Sequence, residues 1–183
     1  MIETVQRLVG LESAGISHEG RLLVLIEKFT SGPDAEGVRG MTKLAKLDFL
    51  LRYPTYLERA LQARKRSILA VKVRDFERLS VEARMVRYRF GPWDHRYPEI
   101  LRRLSARGLI SIAKEGRTVV VKTTATGTAL AEQLAVTEPF ADISSRSSAL
   151  RTHFNLAATT LMKFIYETFP EVISLRANAE IDV

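Results

Sequence analysis

Three features of the sequence predict an α+β fold that is mostly helical. Apolar residues recur at helical spacing in several separate segments. One pair of β-rich runs is joined by a short tip that carries a glycine. Proline and glycine fall between these segments, at about the spacing of ordinary helices. The 183 residues are 46% hydrophobic and 27% charged, enough apolar sequence for a core. There is no cysteine, which excludes disulfide scaffolds, cysteine-ligated zinc, iron–sulfur clusters and thiol chemistry.

Residues 1–18 show little periodicity and are expected to form an N-terminal arm. From Arg21 to Phe29, the positions Leu22, Leu25, Ile26 and Phe29 make one inward stripe, which Ser31-Gly32-Pro33-Asp34 stops. A second helix is expected from Met41 to Leu51, with Leu44, Leu47, Leu50 and Leu51 inward and Pro54 beyond its end. A third piece, Tyr56 to Ala63, runs into Arg64-Lys65-Arg66. Ile68, Ala70, Val71 and Val73 predict a short strand, and so does the alternating run Met85 to Phe90. Gly91-Pro92-Trp93 reads as a turn with an aromatic anchor. A helix is expected over about 94–107, with Asp94 as N-cap, Tyr97, Ile100, Leu101 and Leu104 inward, and Gly108 as its stop. Leu109 to Ala113 and Thr118 to Lys122 form a hairpin with Lys114-Glu115-Gly116-Arg117 at its tip. Helices then follow over about 126–136, 140–152 and 155–168.

Helices followed by a hairpin and another helix is the order of a winged helix-turn-helix. In that arrangement the helix before the hairpin is the recognition element and the hairpin is the wing. The chain is therefore expected to comprise the arm 1–18, a winged-helix-like domain 19–136 with an insertion at about 54–93, and a C-terminal helical segment 137–183. The insertion accounts for some forty residues where a minimal winged helix has a short connection.

Charge is concentrated in one stretch. The chain holds 28 Lys+Arg against 21 Asp+Glu, a net +7. Residues 59–103 alone hold 13 and 5, a local +8 that leaves the rest at −1. Such a stretch attracts polyanions, double-stranded DNA first among them; an acidic partner protein is the competing reading. The candidate DNA-binding residues are Arg64, Lys65, Arg66, Arg96, Arg102, Arg103, Lys114 and Arg117. Helix 94–107 would present its arginines opposite the apolar stripe, as phosphate contact requires.

Catalytic chemistry finds little footing. His18, His95 and His153 stand far apart without a metal-ligand spacing, so neither a metal nor another cofactor is expected. Asp94 and His95, adjacent at a helix start, point in different directions. No phosphate-binding Gly-x-x-x-x-Gly-Lys-Ser/Thr motif occurs, so any ATP-driven step belongs to a partner. Gly37-Val38-Arg39-Gly40 matches the Gly-x-x-Gly of single-strand-binding KH loops, but a turn explains it as well. No apolar run approaches the ~20 residues that cross a bilayer. The start Met1-Ile2-Glu3-Thr4 lacks a signal pattern, so a cytoplasmic protein is expected.

One string is more specific. Residues 82–97, ending in Gly91-Pro92-Trp93-Asp94-His95-Arg96-Tyr97, resemble the core motif of the middle component of ABC-three-component systems. These are bacterial anti-phage defence operons of the Lamassu kind, built around an SMC-like ATPase. Lys43 to Pro54, Arg107-Gly108-Leu109 and Ile165 to Glu171 look like the same family, so the resemblance extends from about Arg21 to the C-terminus. It implies a small non-enzymatic subunit between an SMC-like ATPase and an effector, often a nuclease. The candidate partner-binding residues are Trp93 and the apolar face Leu161, Phe164, Ile165 and Phe169, which would otherwise be core. The alternative is a winged-helix transcriptional regulator that binds DNA on its own.

Overall fold

The computed structural model describes residues 17–32, 35–79 and 84–182. The expected arm lies, up to residue 16, outside the described residues, as do Pro33, Asp34, Glu82 and Ala83. The fold is α+β and mostly helical, with small antiparallel sheets. Helix α1 covers residues 17–30. It is followed by β1 (Val38–Arg39), α2 (Met41–Arg52) and α3 (Pro54–Ala63). A 3-10 turn (Asp75–Arg78) leads to the strands β2 (Val86–Tyr88) and β3 (Gly91–Trp93). Then come α4 (Tyr97–Ala106), β4 (Ile110–Glu115) and β5 (Thr118–Thr123). Four helices complete the described chain: α5 (Ala125–Ala135), α6 (Glu138–Phe154), α7 (Ala158–Thr168) and α8 (Pro170–Ser174).

The larger sheet has the order β1-β5-β4, antiparallel throughout. Val38 stands opposite Val121, and Ile110 opposite Thr123. Glycine is required at the sheet's edge: Gly37 has φ 78°, and a Cβ there would sit 2.6 Å from the Val121 carbonyl oxygen. The Gly37-to-Gly40 string is thus explained by strand pairing. Gly116, with φ 62°, opens the two-residue hairpin loop, where a II′-type turn takes glycine. Thr124 caps α5, its hydroxyl accepting from the Gly127 N–H at 3.0 Å.

Helix α2 is the hub. Ten of its twelve residues are buried, four of them charged. It packs against α3, α6, α7, β1 and β3. Phe49, Tyr53, Tyr56 and Phe169 stack edge-to-face or tilted, with centroids 5.0–6.1 Å apart, and join α2 and α3 to the end of α7. Leu150, Phe154, Leu161, Ile165, Val172 and Ile181 belong to the same continuous core as α1 and α2, so the C-terminal helices close that core.

Local expectations change in three places. Residues 68–74 form turns and coil in place of the expected strand. Gly91-Pro92-Trp93 is strand β3 paired with β2, and the turn falls at residues 89–90. Pro92 fits because its missing N–H is tolerated in a two-stranded edge. Helix α4 begins at Tyr97, three residues after Asp94, which accepts from the Arg96 N–H at 2.9 Å instead of capping the helix. The last residues run beside β2: Arg87 N–H donates to the Ala179 carbonyl at 2.9 Å and Ile181 N–H to that of Met85 at 2.9 Å. Tyr53 locks this seam, donating its hydroxyl to the Ile181 carbonyl and accepting from the Met85 N–H, both at 2.9 Å.

Candidate functional site

The apolar side of α4 is Tyr97, Ile100, Leu101 and Leu104, all buried, so its polar side faces out. That side is not a row of free cations. Glu99 accepts from Arg102 at 2.9 Å and 3.0 Å and from Arg103 at 2.7 Å. These hydrogen bonds hold its carboxyl down at about 2, so it stays ionised at any ordinary pH. Glu19 of α1 pairs with Arg107 and, at 3.7 Å, with Arg103. Arg96 reaches back to Asp94 at 2.8 Å. Four arginines on this side thus already face three carboxylates.

Beneath α4 lies a buried polar network. Asp48 of α2, fully buried, accepts from Arg21 at 2.8 Å, Arg52 at 2.8 Å and the Tyr97 hydroxyl at 2.8 Å. Burial alone would raise its carboxyl, but the charges of Arg21 and Arg52 and their hydrogen bonds hold it far below the usual range. Arg52 also pairs with Asp94 at 2.7 Å. Asp94 follows the same logic: burial raises it, while the hydrogen bond from Arg96 and the charge of Arg52 keep it at about 2. His18 lies between Arg21 and Arg96, with 2.9 Å contacts on both ring nitrogens. Burial first, then those two guanidiniums, lower it to about 4, so the imidazole is neutral and accepts from only one of them. The network fixes α1, α2 and the start of α4 together. It consists of structural ion pairs in which one terminal nitrogen of Arg21 stays buried without a hydrogen-bond partner among the described residues, and among those residues no cluster of three or more metal-ligating side chains occurs.

The other candidates are dispersed. Lys114 and Arg117 sit exposed at the hairpin and carry no ion pair among the described residues. Lys65 and Arg66 are exposed in the loop after α3, and Arg64 lies over the Phe154 ring at 5.3 Å. This loop faces His153 of α6, whose basicity burial, Arg66 and Arg64 all reduce. The basic run is therefore brought to the end of α6, away from α4. Of the expected partner-binding residues, Leu161, Ile165 and Phe169 are fully buried and belong to the chain's own core. This is a correction: the helical apolar face was legible, but α2 is what covers it. Phe164 is half-buried against Phe154, with centroids 5.5 Å apart. Trp93 is half-buried, edge-on to Tyr97 at 5.2 Å.

Two clefts flank the hairpin. A shallow apolar groove of about 620 Å³ runs between α4 and the sheet, lined by Met41, Pro98, Leu101, Ala106, Ile112 and Val119. A second cleft, of about 700 Å³, opens on the other side, where the starts of α2 and α7 meet the hairpin. Sequence reasoning missed the residue that most defines it, Lys43, which is 6% exposed and donates to Asn155 at 2.7 Å. No described helix is long and apolar enough to cross a membrane. Comparison with models of known protein families, with characterised proteins and with solved structures found no match.

Proposed function

We propose that this chain is a non-catalytic adaptor of winged-helix type that joins an SMC-like ATPase to an effector subunit in an anti-phage complex. The order α1-β1-α2-α4-β4-β5, with β1 paired to β5 in a β1-β5-β4 sheet, supports the winged-helix reading. The insertion is then α3 with the β2–β3 hairpin, between α2 and α4. The resemblance of residues 82–97 supports the choice of partners.

One observation carries the adaptor role: the four arginines on the α4 side are all ion-paired, through Glu99, Glu19 and Asp94, so that little of their charge is free. A helix that reads DNA needs cations free to release counterions at phosphates, and matched charge weakens that drive. A face of paired charges with an apolar part suits protein contact better. DNA, where it is bound, is then met by Lys114 and Arg117 at the hairpin tip.

Co-expression with an SMC-like ATPase and its effector tests this. A stable complex that retains all three proteins at moderate salt is the expected result. The free cations of the tip also favour a second reading, a stand-alone regulator. A tight homodimer that selects one palindromic site by ~10³ or more over bulk DNA would replace the adaptor with that regulator.

A further inference from the structure

The cleft beside the hairpin holds cations without ion pairs among the described residues, whereas the arginines of the α4 face are paired. Arg39 in its wall is satisfied by Glu115 at 2.7 Å and lies 3.9 Å from Glu36. Lys43 is different. It is 94% buried by its 6% exposure, and among the described residues no carboxylate pairs with it. Its one hydrogen-bond acceptor among the described residues, Asn155 Oδ1, is neutral, and the ammonium also lies over the Phe29 ring at 5.5 Å, so it has a π-face and an amide but no paired anion. A buried cation normally comes with a counter-charge, because the desolvation cost is otherwise uncompensated. Arg117, equally without an ion pair among the described residues, lines the same cleft from the hairpin loop. Thr42 and Thr118 add hydroxyls to the lining.

We infer that this cleft binds a phosphate group, held between Lys43 and Arg117. The volume of about 700 Å³ lies within the ~300–1,000 Å³ of small-molecule sites and exceeds what a bare anion needs. Met41, Val119, Leu156 and Ala157 supply an apolar wall for whatever carries the phosphate. Two helices of 12 and 11 residues, α2 and α7, begin at the cleft. Neither has a side-chain cap or an acidic residue in its first turn, so their leading N–H groups add donors to a site the cations already define. Burial first, then the neighbouring Arg151, lower the basicity of Lys43; the charge of Glu36, an exposed carboxylate in the same lining, opposes them without reversing the shift, and a bound anion would add to that opposition. The phosphate can belong to a free nucleotide-sized molecule or to a DNA strand passing the hairpin, and the recognising chemistry is the same. The inference does not depend on the adaptor reading.

The test is a ¹H–¹⁵N titration of the full chain with inorganic phosphate, AMP and a short DNA duplex, at constant ionic strength. Saturable shifts at the amides of residues 41–43 and 158–160 are expected. Shifts with phosphate or AMP identify a free ligand; shifts with the duplex alone identify a backbone phosphate. Lys43→Met, checked for folding by circular dichroism, should lose them, and the exposed Arg117→Ala should weaken binding about tenfold. Arg102→Ala with Arg103→Ala should leave them unchanged. Equal shifts from sodium chloride, or undiminished binding by Lys43→Met, would overturn the inference.

Discussion

At the scale of single residues, the charges buried in α2 behave in opposite ways. Asp48 is compensated by two guanidiniums and a phenol, whereas among the described residues Lys46 has the Pro92 carbonyl at 3.3 Å as its one hydrogen-bond partner. Lys46 is 1% exposed, and burial pushes its ammonium down to about 7. In the unfolded chain it titrates near 10.5, so between these values the unfolded state holds more protons. Stability attributable to Lys46 therefore rises with pH from about 7 to about 10, by roughly 1 kcal/mol per unit. Lys46→Met should stabilise the protein at pH 7 and flatten that slope in urea titrations at several pH values. Asp48→Asn should act the other way, costing about 3–5 kcal/mol, because Arg21 and Arg52 would stay buried without their shared anion. A melting temperature unchanged by Asp48→Asn would remove the network from the list of what holds α1, α2 and α4 together.

At the scale of elements, stripes were legible and their partners were not. Tyr97, Ile100, Leu101 and Leu104 announce the inner face of α4, and Val119, Val120 and Val121 announce a strand, because local spacing sets both. Lys43, Lys46, Asp48 and Arg52 look like a solvent face by the same rule, yet they are buried, since α2 is covered on nearly every side. Their partners lie up to 112 residues away, a distance that periodicity does not encode. The loop 68–78 is a similar case. Arg146 of α6, 3% exposed, donates to the carbonyls of Val71 and Lys72 at 2.7 and 2.9 Å and forks onto Glu77 at 2.7 Å. One side chain on α6 thus replaces the ladder that a strand would have supplied. Arg146→Met should leave α6 intact but expose the amides of this loop, with hydrogen exchange there rising at least about tenfold. Exchange that stays slow would mean that Ser145 and Asp142, bonded to Ala70 and Arg74, suffice on their own.

At the scale of the whole molecule, charge distribution in sequence and in space tell different stories. The +8 of residues 59–103 was plain from composition, but folding divides it. Arg102 and Arg103 are paired on α4, Arg64 to Arg66 lie at the end of α6, and Arg78 and Arg84 are tied to Glu58 and Glu180. In a salt titration of DNA binding, Lys114→Ala with Arg117→Ala should lower the slope of log K against log salt by about 2. Arg102→Ala with Arg103→Ala should lower it by less than about 1, since their loss also frees Glu99. The reverse order would restore α4 as the principal contact.

Where the hairpin meets α5, clearance is set by a missing methyl group. A Cβ on Gly127 would fall 1.8 Å from the Leu109 carbonyl oxygen, directly below the first residue of β4. Six residues of strand extend about 20 Å, and this hairpin is seated on α5 at Leu109, paired along β5 with β1, and held near its tip by Arg39 on Glu115 at 2.7 Å. The seat of the hairpin on α5 is thus decided far from its tip, and a chain with alanine at 127 would have to part α5 from the base of the hairpin while keeping both tip cations.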